Sequence, residues 1–390
     1  MKPREIRPGV YWVGAIDWNR RLFDSLIPLP LGTSYNAYLI RGSERTVLMD
    51  TVDPTMEQVL FRNLEGVERL DYIVSHHAEQ DHSGVLPSLM SRYSEAIVLC
   101  TPKAKPLLVD HLGIDPDRIK IVGDGETLDL GGKTLRFLHT PWVHWPETMT
   151  THLAEDRILF SCDFFGSHLA SSALFAGTEP SVYDAAKRYY AEIMMPFRKP
   201  IQKNIEKVRR FEFDIIAPSH GPVYDDAGFI LSAYEEWVSD DVKNLVVIPY
   251  ISMHGSTEAM VMHLVDALVD RAIRVHPFEL TSADIGDMAM ALVDAATLVL
   301  GTPTVLGGAH PTVLSAAVLT NLLRPKVRYA AVIGSYGWGS KAGEEVAGAL
   351  SNLKVEVLEG VMCKGLPRAD TYAALDTLAD TIADKHAGLP

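Results

Sequence analysis

The sequence predicts two domains of different fold class: an N-terminal α+β domain of stacked sheets covered by helices, and a C-terminal α/β domain with a doubly wound parallel sheet. The chain has 390 residues, which is long for one domain and enough for two hydrophobic cores. Short β-type runs joined by tight turns fill the first half, whereas strand, loop and helix alternate from about residue 243 onward. The polar stretch 239–243 separates the two patterns, so we expect domains at 1–242 and 243–390.

Two hairpin patterns in the first half predict antiparallel sheet. Their β-type runs are 36–40 and 46–50 around Gly42, and 128–130 and 135–138 around Gly131 and Gly132. Helical patterns at 104–111 and 183–210 interrupt the strands. These helices are expected to cover the outer faces of the stacked sheets.

The second half repeats a strand, a loop and a helix with short connections, which is typical of a doubly wound parallel sheet. The predicted elements are strands at 245–250, 298–301, 330–333 and 355–358, and helices at 258–271 and 371–385.

Composition and charge exclude several classes of function. The net charge of −14 argues against a nucleic-acid-binding surface. Cys100, Cys162 and Cys363 lie far apart without a CxxC pair, so no disulfide framework, thiolate zinc site or rubredoxin-like iron module is encoded. The N-terminus lacks a signal-peptide pattern and no apolar run is long enough to cross a bilayer. We therefore expect a cytoplasmic protein that does not bind membranes.

The stretch 75–83, Ser-His-His-Ala-Glu-Gln-Asp-His-Ser, carries a candidate metal-binding motif. It follows the apolar run 72–74, which is typical of a buried strand, so its polar side chains are expected on the loop that leaves this strand. Its mixed nitrogen and oxygen donors could hold two metal ions if further ligands arrive from elsewhere. The candidates are His77, Glu79, Asp81 and His82. His76 is predicted not to be a ligand.

Three more candidates follow downstream, each near the end of a predicted buried strand: His144, Asp163 and His220. A lone His or Asp at such a position is more often a structural residue. Strand ends on one edge of a sheet converge, however, and the ordered combination gives four imidazoles and three carboxylates, enough for two metals if one carboxylate bridges. Asp163 is the natural bridge because it comes alone from its own strand.

Three loops in the second half form a candidate cofactor site at the carboxyl ends of the predicted parallel strands. The first follows strand 245–250 and precedes a helix, which favours a phosphate monoester at the helix N-terminus, with a simple N-cap as the alternative. Aromatic residues between glycines in the third loop could flank a flat ring system, or could simply pack. The candidates are Ser252, Met253, His254, Gly255, Ser256 and Thr257; Thr302, Pro303 and Thr304; and Ser335, Tyr336, Gly337, Trp338 and Gly339.

These motifs together resemble the flavodiiron protein family over essentially the whole chain. The HxExDH, HWP, SCD and SHGP segments resemble its metallo-β-lactamase-like half, and the SMHGST and GSYGWG segments look like its flavodoxin half. The resemblance implies a metallo-β-lactamase-like αββα sandwich followed by a flavodoxin-like doubly wound parallel sheet. It also implies FMN and two iron ions, one held by His77, Glu79 and His144, the other by Asp81, His82 and His220, with Asp163 bridging.

The resemblance further implies an enzyme that passes electrons from an external donor through FMN to a non-heme di-iron site. This site would reduce dioxygen to water or nitric oxide to nitrous oxide. A head-to-tail homodimer, or a dimer of such dimers, would place the FMN of one subunit beside the iron pair of the other. The donor would be a separate rubredoxin, a flavin reductase or a reduced deazaflavin.

Several positions depart from the family pattern or carry family roles. Glu79 stands where hydrolytic relatives of the fold usually have a zinc-binding histidine, which favours iron and redox chemistry. Asp24 stands where many members have a histidine that lines the substrate pocket, and 305–308 replaces an Asn-rich flavin loop. Tyr190 resembles a tyrosine that the family places next to the metal ligands, with a packing role as the alternative.

Two functions from other classes stay open. One is a zinc metallo-hydrolase with a flavodoxin-like partner domain, which the shared fold motivates. The other is a non-catalytic oxygen-binding or oxygen-sensing protein, which Asp24 and the altered flavin loop motivate.

Overall fold

The computed structural model describes residues 2–177 and 180–390. The chain divides into two compact units, one formed by Met1–Tyr190 and Phe197–Val238 and the other by Ala191–Pro196 and Ser239–Pro390. The predicted boundary at 242/243 falls between the last helix of the first unit, which ends at Val238, and a strand that begins at Lys243.

The first unit contains sixteen strands among its described residues. They are β1 (Arg4–Arg7), β2 (Val10–Trp12), β3 (Ala15–Asp17), β4 (Leu22–Phe23), β5 (Ile27–Pro28), β6 (Thr33–Tyr35), β7 (Tyr38–Arg41), β8 (Thr46–Met49), β9 (Tyr72–Val74), β10 (Ile97–Cys100), β11 (Ile119–Ile121), β12 (Thr127–Asp129), β13 (Thr134–His139), β14 (Met149–Leu153), β15 (Ile158–Cys162) and β16 (Ile215–Pro218). Its helices are α1 (Glu57–Asn63), α2 (Gln80–Ser83), α3 (Leu86–Arg92), α4 (Ala104–Leu112), α5 (Pro180–Tyr189), α6 (Arg198–Val208) and α7 (Ala227–Val238).

Two sheets of this unit stack face to face. One has the order β1-β2-β7-β8-β9-β10-β11 and the other the order β12-β13-β14-β15-β16. Side chains of both sheets meet in one buried cluster, for example Tyr38 and Met49 from the first with Phe137 and Phe160 from the second. The opposite face of the first sheet packs against α1, α3 and α4. Of these helices, only α4 was predicted from the sequence.

Strand direction differs in part from the sequence-based expectation. The hairpins β7–β8 and β12–β13 are antiparallel as predicted. The pairs β8–β9, β9–β10, β10–β11 and β15–β16 are parallel. Parallel pairing needs a crossover connection, and in the first sheet helices α1, α3 and α4 provide it.

The segment 183–210 is not one helix. Helix α5 ends at Tyr189, a π-helical turn covers Tyr190–Met194, a short 3-10 turn covers Met195–Phe197, and α6 begins at Arg198. Pro196 cannot donate a backbone hydrogen bond and its ring clashes with the preceding turn, so a continuous α-helix is broken here.

The second unit is a parallel sheet with helices on both faces. Its strands are β17 (Lys243–Tyr250), β18 (Arg274–Glu279), β19 (Ala295–Val305), β20 (Gly308–Ala309), β21 (Tyr329–Tyr336), β22 (Glu356–Val357) and β23 (Val361–Lys364). Its helices are α8 (Ser256–Val269), α9 (Ile285–Asp294), α10 (Pro311–Leu323), α11 (Ala342–Ala349) and α12 (Ala369–His386). The order β18-β17-β19-β21-β22, with β23 also on β21, is the 2-1-3-4-5 order of a flavodoxin-like sheet.

Both faces of this sheet are buried. Helices α8 and α12 cover one face and α9, α10 and α11 the other. The sequence analysis missed the edge strand β18, whose proline and charged residues hide its pattern but are tolerated at a sheet edge. Within residues 2–177 and 180–390, every helix is too short or too polar to span a bilayer.

His386 ties the last helix to the sheet and should make this unit sensitive to acid. Its ring nitrogens bond the Thr297 hydroxyl at 2.7 Å and the Asn244 side-chain oxygen at 2.9 Å. Burial lowers the pKa of His386 to about 4. Between pH 4 and pH 6.5 the histidine of the unfolded chain, with an ordinary pKa near 6.5, binds a proton, whereas His386 in the folded chain stays neutral. The contribution of His386 to the free energy of unfolding is therefore complete above pH 6.5 and is lost as pH falls toward 4.

We expect the free energy of unfolding of this unit to fall by about 1–2 kcal/mol between pH 7 and pH 5 because of His386. The measurement is the difference between wild type and His386→Gln in denaturant unfolding at each pH, which cancels the other ionisations. A difference that does not change between pH 7 and pH 5 would contradict the prediction.

Candidate metal centre and flavin site

The first motif lies on the loop that leaves β9 and on the short helix α2. Because β9 pairs in parallel with β8 and β10, its carboxyl end opens at one edge of the sheet. Two hydrogen bonds of 2.8 Å fix the segment: the His76 N–H donates to Asp50 Oδ1, and the Ser83 hydroxyl donates to the Ala78 carbonyl. The candidates that this segment carries are His77, Glu79, Asp81 and His82.

His76 is engaged on both sides of its ring. Its Nδ1 bonds Asp50 Oδ2 and its Nε2 bonds the Thr151 hydroxyl, both at 2.7 Å. Neither nitrogen is left for a metal, in agreement with its predicted non-ligand role. The residue instead links the end of β8 to β14 beneath the loop.

The three downstream candidates converge on this loop. His144 lies on the turn between β13 and β14, Asp163 directly follows β15, and His220 follows β16 by two residues. Strands β15 and β16 are parallel neighbours, so Asp163 and His220 leave the same edge of their sheet. The structure thus brings all seven candidates together at the edges of the two stacked sheets.

One set of ligand atoms gathers around Oδ2 of Asp163. His77 Nε2 lies 3.0 Å from Glu79 Oε2 and 3.4 Å from Asp163 Oδ2. His144 Nε2 lies 3.2 Å from Glu79 Oε2 and 3.4 Å from Asp163 Oδ2. Two imidazoles and two carboxylates therefore face one point.

A second set gathers around Oδ1 of the same carboxylate. His82 Nε2 lies 3.3 Å from Asp81 Oδ1 and 3.0 Å from Asp163 Oδ1. His220 Nε2 lies 3.2 Å from Asp81 Oδ2 and 3.3 Å from Asp163 Oδ1. Asp163 thus offers one oxygen to each set.

This geometry fits two metal ions. Ligand atoms about 2.1 Å from a shared ion lie roughly 3.0–3.4 Å from one another in octahedral or tetrahedral sites. Both side-chain oxygens of Asp81 and of Asp163, and Nε2 of His82, are buried without a hydrogen-bond partner. Buried polar atoms are rarely left unpaired. Because these oxygen and nitrogen atoms face one another, they indicate that a cation binds between them.

Electrostatics point the same way. Burial alone would lower the pKa of His144 and of His220, but the negative carboxylates that face their Nε2 atoms, Asp163 first, raise the pKa of His144 to about 9 and that of His220 to about 10. Burial would likewise raise the pKa of Asp163, yet His82 and the other imidazoles hold it well below its ordinary value. The carboxylates therefore demand positive charge, and metal ions would supply it by displacing protons.

Two imidazoles are oriented by partners outside the cluster. His77 Nδ1 donates to Glu147 Oε1 at 2.7 Å, and His220 Nδ1 donates to the Ser34 carbonyl at 2.7 Å. With the proton on Nδ1, the lone pair of Nε2 faces the cluster. The sequence analysis missed Glu147, although it stands in the same HWPE segment as His144.

Glu147→Gln should weaken metal binding without unfolding the protein. The amide keeps the size of the buried side chain but removes the charge that supports the His77 ring. We expect affinity for iron at this set to fall about 10- to 100-fold. The measurement is iron per chain after dialysis against graded chelator, with the exposed carboxylate variant Glu155→Gln as control. Equal iron retention in both variants would refute the positioning role.

Asp24 lines a cavity of about 510 Å³, together with Glu79 and Asp81 of the cluster. It occupies a left-handed turn between β4 and β5, with φ of +48°. Burial, and then the charges of Glu79 and Asp81, raise the pKa of Asp24 to about 6. Asp24 thus shares this cavity with Glu79 and Asp81, and its role in a substrate pocket stays a prediction. Arg20, Asp53, His111 and Trp145 also line this cavity.

The structure does not bring Tyr190 to the cluster. Its hydroxyl donates to the Trp237 carbonyl at 3.2 Å, whereas the ring of Tyr189 lies 4.9 Å from His168 and 5.9 Å from His220. Consecutive helical side chains point about 100° apart, so only one of two adjacent tyrosines can face the site. The packing alternative holds for Tyr190, and Tyr189 with His168 are the residues that the sequence analysis missed.

The three loops of the second unit enclose a cavity of about 310 Å³ at the carboxyl ends of β17, β19 and β21. Its lining includes most of the predicted cofactor-binding residues: Ser252, Met253, His254, Ser256, Thr257, Pro303, Thr304, Ser335, Tyr336, Gly337 and Trp338. Gly365, which the sequence analysis missed, completes it. Gly255, Thr302 and Gly339 do not line the cavity.

The first loop is preorganised as an anion site. Ser252 Oγ accepts the N–H groups of Gly255 and Glu258, both at 3.2 Å, and Gly255 adopts φ of +84° directly before α8. The first N–H groups of a helix have no partner within the helix. Thr302 serves the fold instead, because its hydroxyl donates to the Pro303 carbonyl and accepts the His310 N–H.

The altered loop 305–308 forms a tight hairpin between β19 and β20. Leu306 and Gly307 adopt positive φ of +52° and +88°, and the Leu306 side chain is 97% exposed. The third loop likewise exposes Trp338, at 87%. An open, aromatic cavity next to a phosphate-type loop fits a flat ring with a phosphate tail.

This chain is similar to known proteins both in its first unit and over nearly its whole length. The family model described as ODP family beta lactamase matches residues 33–221. A protein named nitric oxide reductase, from Moorella thermoacetica, is 35% identical, with 99% of each chain covered. The structure of rubredoxin oxygen:oxidoreductase from Desulfovibrio gigas aligns with a TM-score of 0.95 at 31% identity, covering 98% of both chains. That of a flavodiiron protein from Giardia intestinalis aligns with a TM-score of 0.91 at 27% identity, covering 99% of this chain and 98% of that one.

Proposed function

The chain belongs to the flavodiiron protein family, and from this premise we propose that it is an oxidoreductase that reduces dioxygen to water or nitric oxide to nitrous oxide. Electrons pass from an external donor through FMN to a non-heme di-iron centre. The observation that carries the proposal is the pair of ligand sets that share the two oxygens of Asp163. The fold is the metallo-β-lactamase-like sandwich followed by the flavodoxin-like domain that the sequence predicts.

We propose that His77, Glu79 and His144 hold one iron, that Asp81, His82 and His220 hold the other, and that Asp163 bridges them. The contacts between these ligand atoms support the assignment. Glu79 supplies a hard oxygen donor to the first position, which suits iron better than an additional imidazole would.

The flavin is proposed to bind in the cavity of the second unit. Its phosphate would lie on the N–H groups and hydroxyls of Ser252–Thr257, and its ring system beside Tyr336 and Trp338. FMN exchanges electrons one at a time and in pairs, which lets it connect different donors to iron.

Side chains around the metal cluster position the reaction. Glu147 and the Ser34 carbonyl hold protons on Nδ1 of His77 and His220, so that both rings present Nε2 to the metals. The cavity behind Asp24 admits a diatomic gas to Glu79 and Asp81. Asp24 is proposed to contact the entering substrate.

Apolar exposure next to each site supports a head-to-tail dimer. In the first unit, Leu22 and Leu26 flank Asp24 on the β4–β5 hairpin and are 47% and 68% exposed. In the second unit, Trp338 is exposed and lines the flavin cavity, and Leu306 is exposed two residues after Thr304, which also lines it. Large exposed side chains of this kind mark interaction surfaces, and a two-fold dimer would cover both patches at once. A dimer of such dimers repeats the contact.

The electron donor is proposed to be a separate protein or a reduced soluble cofactor. The name of one related structure, rubredoxin oxygen:oxidoreductase, includes rubredoxin. This chain itself has no cysteine pair that could hold rubredoxin-type iron. A rubredoxin, a flavin reductase or a reduced deazaflavin can each be tested as the donor.

The decisive experiment is anaerobic turnover with dioxygen and with nitric oxide in parallel, at matched donor supply. Metal and flavin analysis of the same sample should give two irons and one FMN per chain. Fast multiple turnover with either gas supports the proposal. Stoichiometric zinc without flavin would favour a metallo-hydrolase, and a stable oxygen adduct without turnover would favour an oxygen-binding protein.

A further inference from the structure

A continuous series of aromatic rings leads away from the candidate bridge. Phe164 and Phe165 directly follow Asp163, are fully buried and stack with ring centres 3.8 Å apart. The Tyr234 ring packs edge-on against both, at 5.8 Å from Phe164 and 4.8 Å from Phe165. The series therefore begins at the proposed bridging ligand itself.

The series continues to the surface through oxidisable rings. Trp237 lies 5.2 Å from Tyr234, and Tyr183 lies 5.5 Å from Trp237. The ring of Tyr190 packs beside the series, with its centre 5.4 Å from that of Tyr234 and 5.3 Å from that of Trp237. The Trp237 indole N–H donates to the Tyr183 hydroxyl oxygen at 3.3 Å, and Tyr183 is half-buried and so reaches solvent.

Packing alone does not explain the phenol at Tyr234. Its hydroxyl is buried and makes no well-formed hydrogen bond, although the Phe165 N–H approaches its oxygen. A phenylalanine would fill the same space between α5 and α7 without burying this polar group. Since the Tyr234 hydroxyl has no acceptor for its proton, the phenol stays protonated, and its ring is placed to pass an electron between Trp237 and Phe165 without being oxidised itself.

We propose that Tyr234, Trp237 and Tyr183 form a relay that carries oxidising equivalents from the di-iron centre to the surface when electron supply is too low. The inference rests on the proposed function, because only oxygen reduction at the centre supplies the oxidant. The relay would protect the ligands, which otherwise are the nearest groups to be oxidised.

Reduction of dioxygen to water takes four electrons, and a donor that supplies three leaves one oxidising equivalent at the centre. Trp237 loses one electron toward the centre across Tyr234 and Phe165 and keeps its N–H in the bond to Tyr183. Tyr183 then returns one electron to the indole, and its phenolic proton leaves to water. A small-molecule thiol from solvent then gives one electron and one proton to the tyrosyl radical, which restores the phenol, and two of the resulting thiyl radicals combine to a disulfide.

The test compares wild type with Trp237→Phe, both loaded with iron and FMN and supplied with excess oxygen and limiting donor. In wild type we expect an organic radical by rapid-freeze electron paramagnetic resonance, assigned with deuterated tyrosine, and oxidation of Tyr183 by peptide mass spectrometry. In the variant we expect both signals to fall severalfold, oxidation of Tyr189 to rise, and fewer turnovers before inactivation. The initial rate at saturating donor should not change.

The matched control is Trp12→Phe. Trp12 is also a buried indole of this unit, and its N–H also donates to a side-chain oxygen, that of Asn36 at 2.8 Å, but it lies off the series. It should keep the radical and the Tyr183 oxidation. If Trp237→Phe fails to fold, Tyr183→Phe provides the second test and should move the radical to an indole.

The outcomes separate the two claims. Wild type that consumes oxygen normally but gives no organic radical, or a Trp237→Phe variant with unchanged Tyr183 oxidation, overturns the relay alone. Wild type that consumes no oxygen at saturating donor overturns the proposed function and the relay with it.

Discussion

Asp163→Ala is expected to lose both irons. Asp163 is buried, and its Oδ2 faces His77 and His144 while its Oδ1 faces His82 and His220. Removing this carboxylate takes one ligand from each set and the charge that both sets share. The loss of affinity for iron should exceed the decrease of about 10- to 100-fold that follows removal of a residue that only orients a metal ligand. Iron per chain after gel filtration is the measurement, and oxygen consumption should disappear with the metal.

A matched control is Asp50→Asn. Asp50 is a buried carboxylate of the same unit, but it bonds His76 and belongs to neither ligand set. This variant should keep two irons, and thermal unfolding of both variants checks that the fold is intact. An Asp163→Ala protein with full iron and full activity would refute the bridging assignment.

Ser256→Glu is expected to release FMN while leaving the metal unit unchanged. Ser256 begins α8 and lines the flavin cavity. A glutamate in the first turn of a helix is favourable for the helix itself, so the variant should fold. Its carboxylate would stand where the phosphate is proposed to bind, and the repulsion should weaken FMN binding at least about 10-fold, or ~1.4 kcal/mol.

Flavin fluorescence that appears on dilution measures this loss directly. Ser256→Gln is the control of equal size without the charge and should retain most of the flavin. Iron per chain should be the same in both variants. Retention of FMN by Ser256→Glu with wild-type affinity would show that the phosphate lies elsewhere.

The candidate metal site was predictable because its information is local. Each ligand comes from a short motif at the end of a strand, and an HxExDH segment after an apolar run identifies four candidates without knowledge of the fold. Glu147 shows the limit of such reasoning. It stands three residues after His144, but its role depends on Nδ1 of His77, a residue 70 positions away in the chain.

The fold was predictable where periodicity is clear and unpredictable where strand pairing decides. The hairpins β7–β8 and β12–β13 follow from glycine turns between β-type runs. The parallel pairs β8–β9 and β15–β16 join strands that are distant in sequence. The sequence of a short apolar strand does not indicate the direction of the strand with which it pairs. The break at Tyr190–Phe197 was not predicted, because the apolar residues before and after it keep the spacing of a helix.

At Tyr189 and Tyr190 the residue type was right for the site, but the phase of the helix determines which side chain faces it. Thr302 and Thr304 lie two residues apart in β19, so strand alternation does not separate them, and their roles differ because of their individual contacts. Thr302 turns its hydroxyl to the backbone, whereas Thr304 lines the flavin cavity.

The sequence by itself determined the inventory of this protein: two domains, seven candidate metal ligands with Glu79 among them, a phosphate-type loop and an aromatic flavin loop. Residue type and local spacing carry that information, because ligand chemistry belongs to side chains. Only the tertiary structure decided how Asp163 divides its two oxygens, which tyrosine stands beside His220, and that aromatic rings connect the centre to the surface. Those features arise from contacts between segments far apart in the chain, whose relative positions the packing of sheets and helices sets.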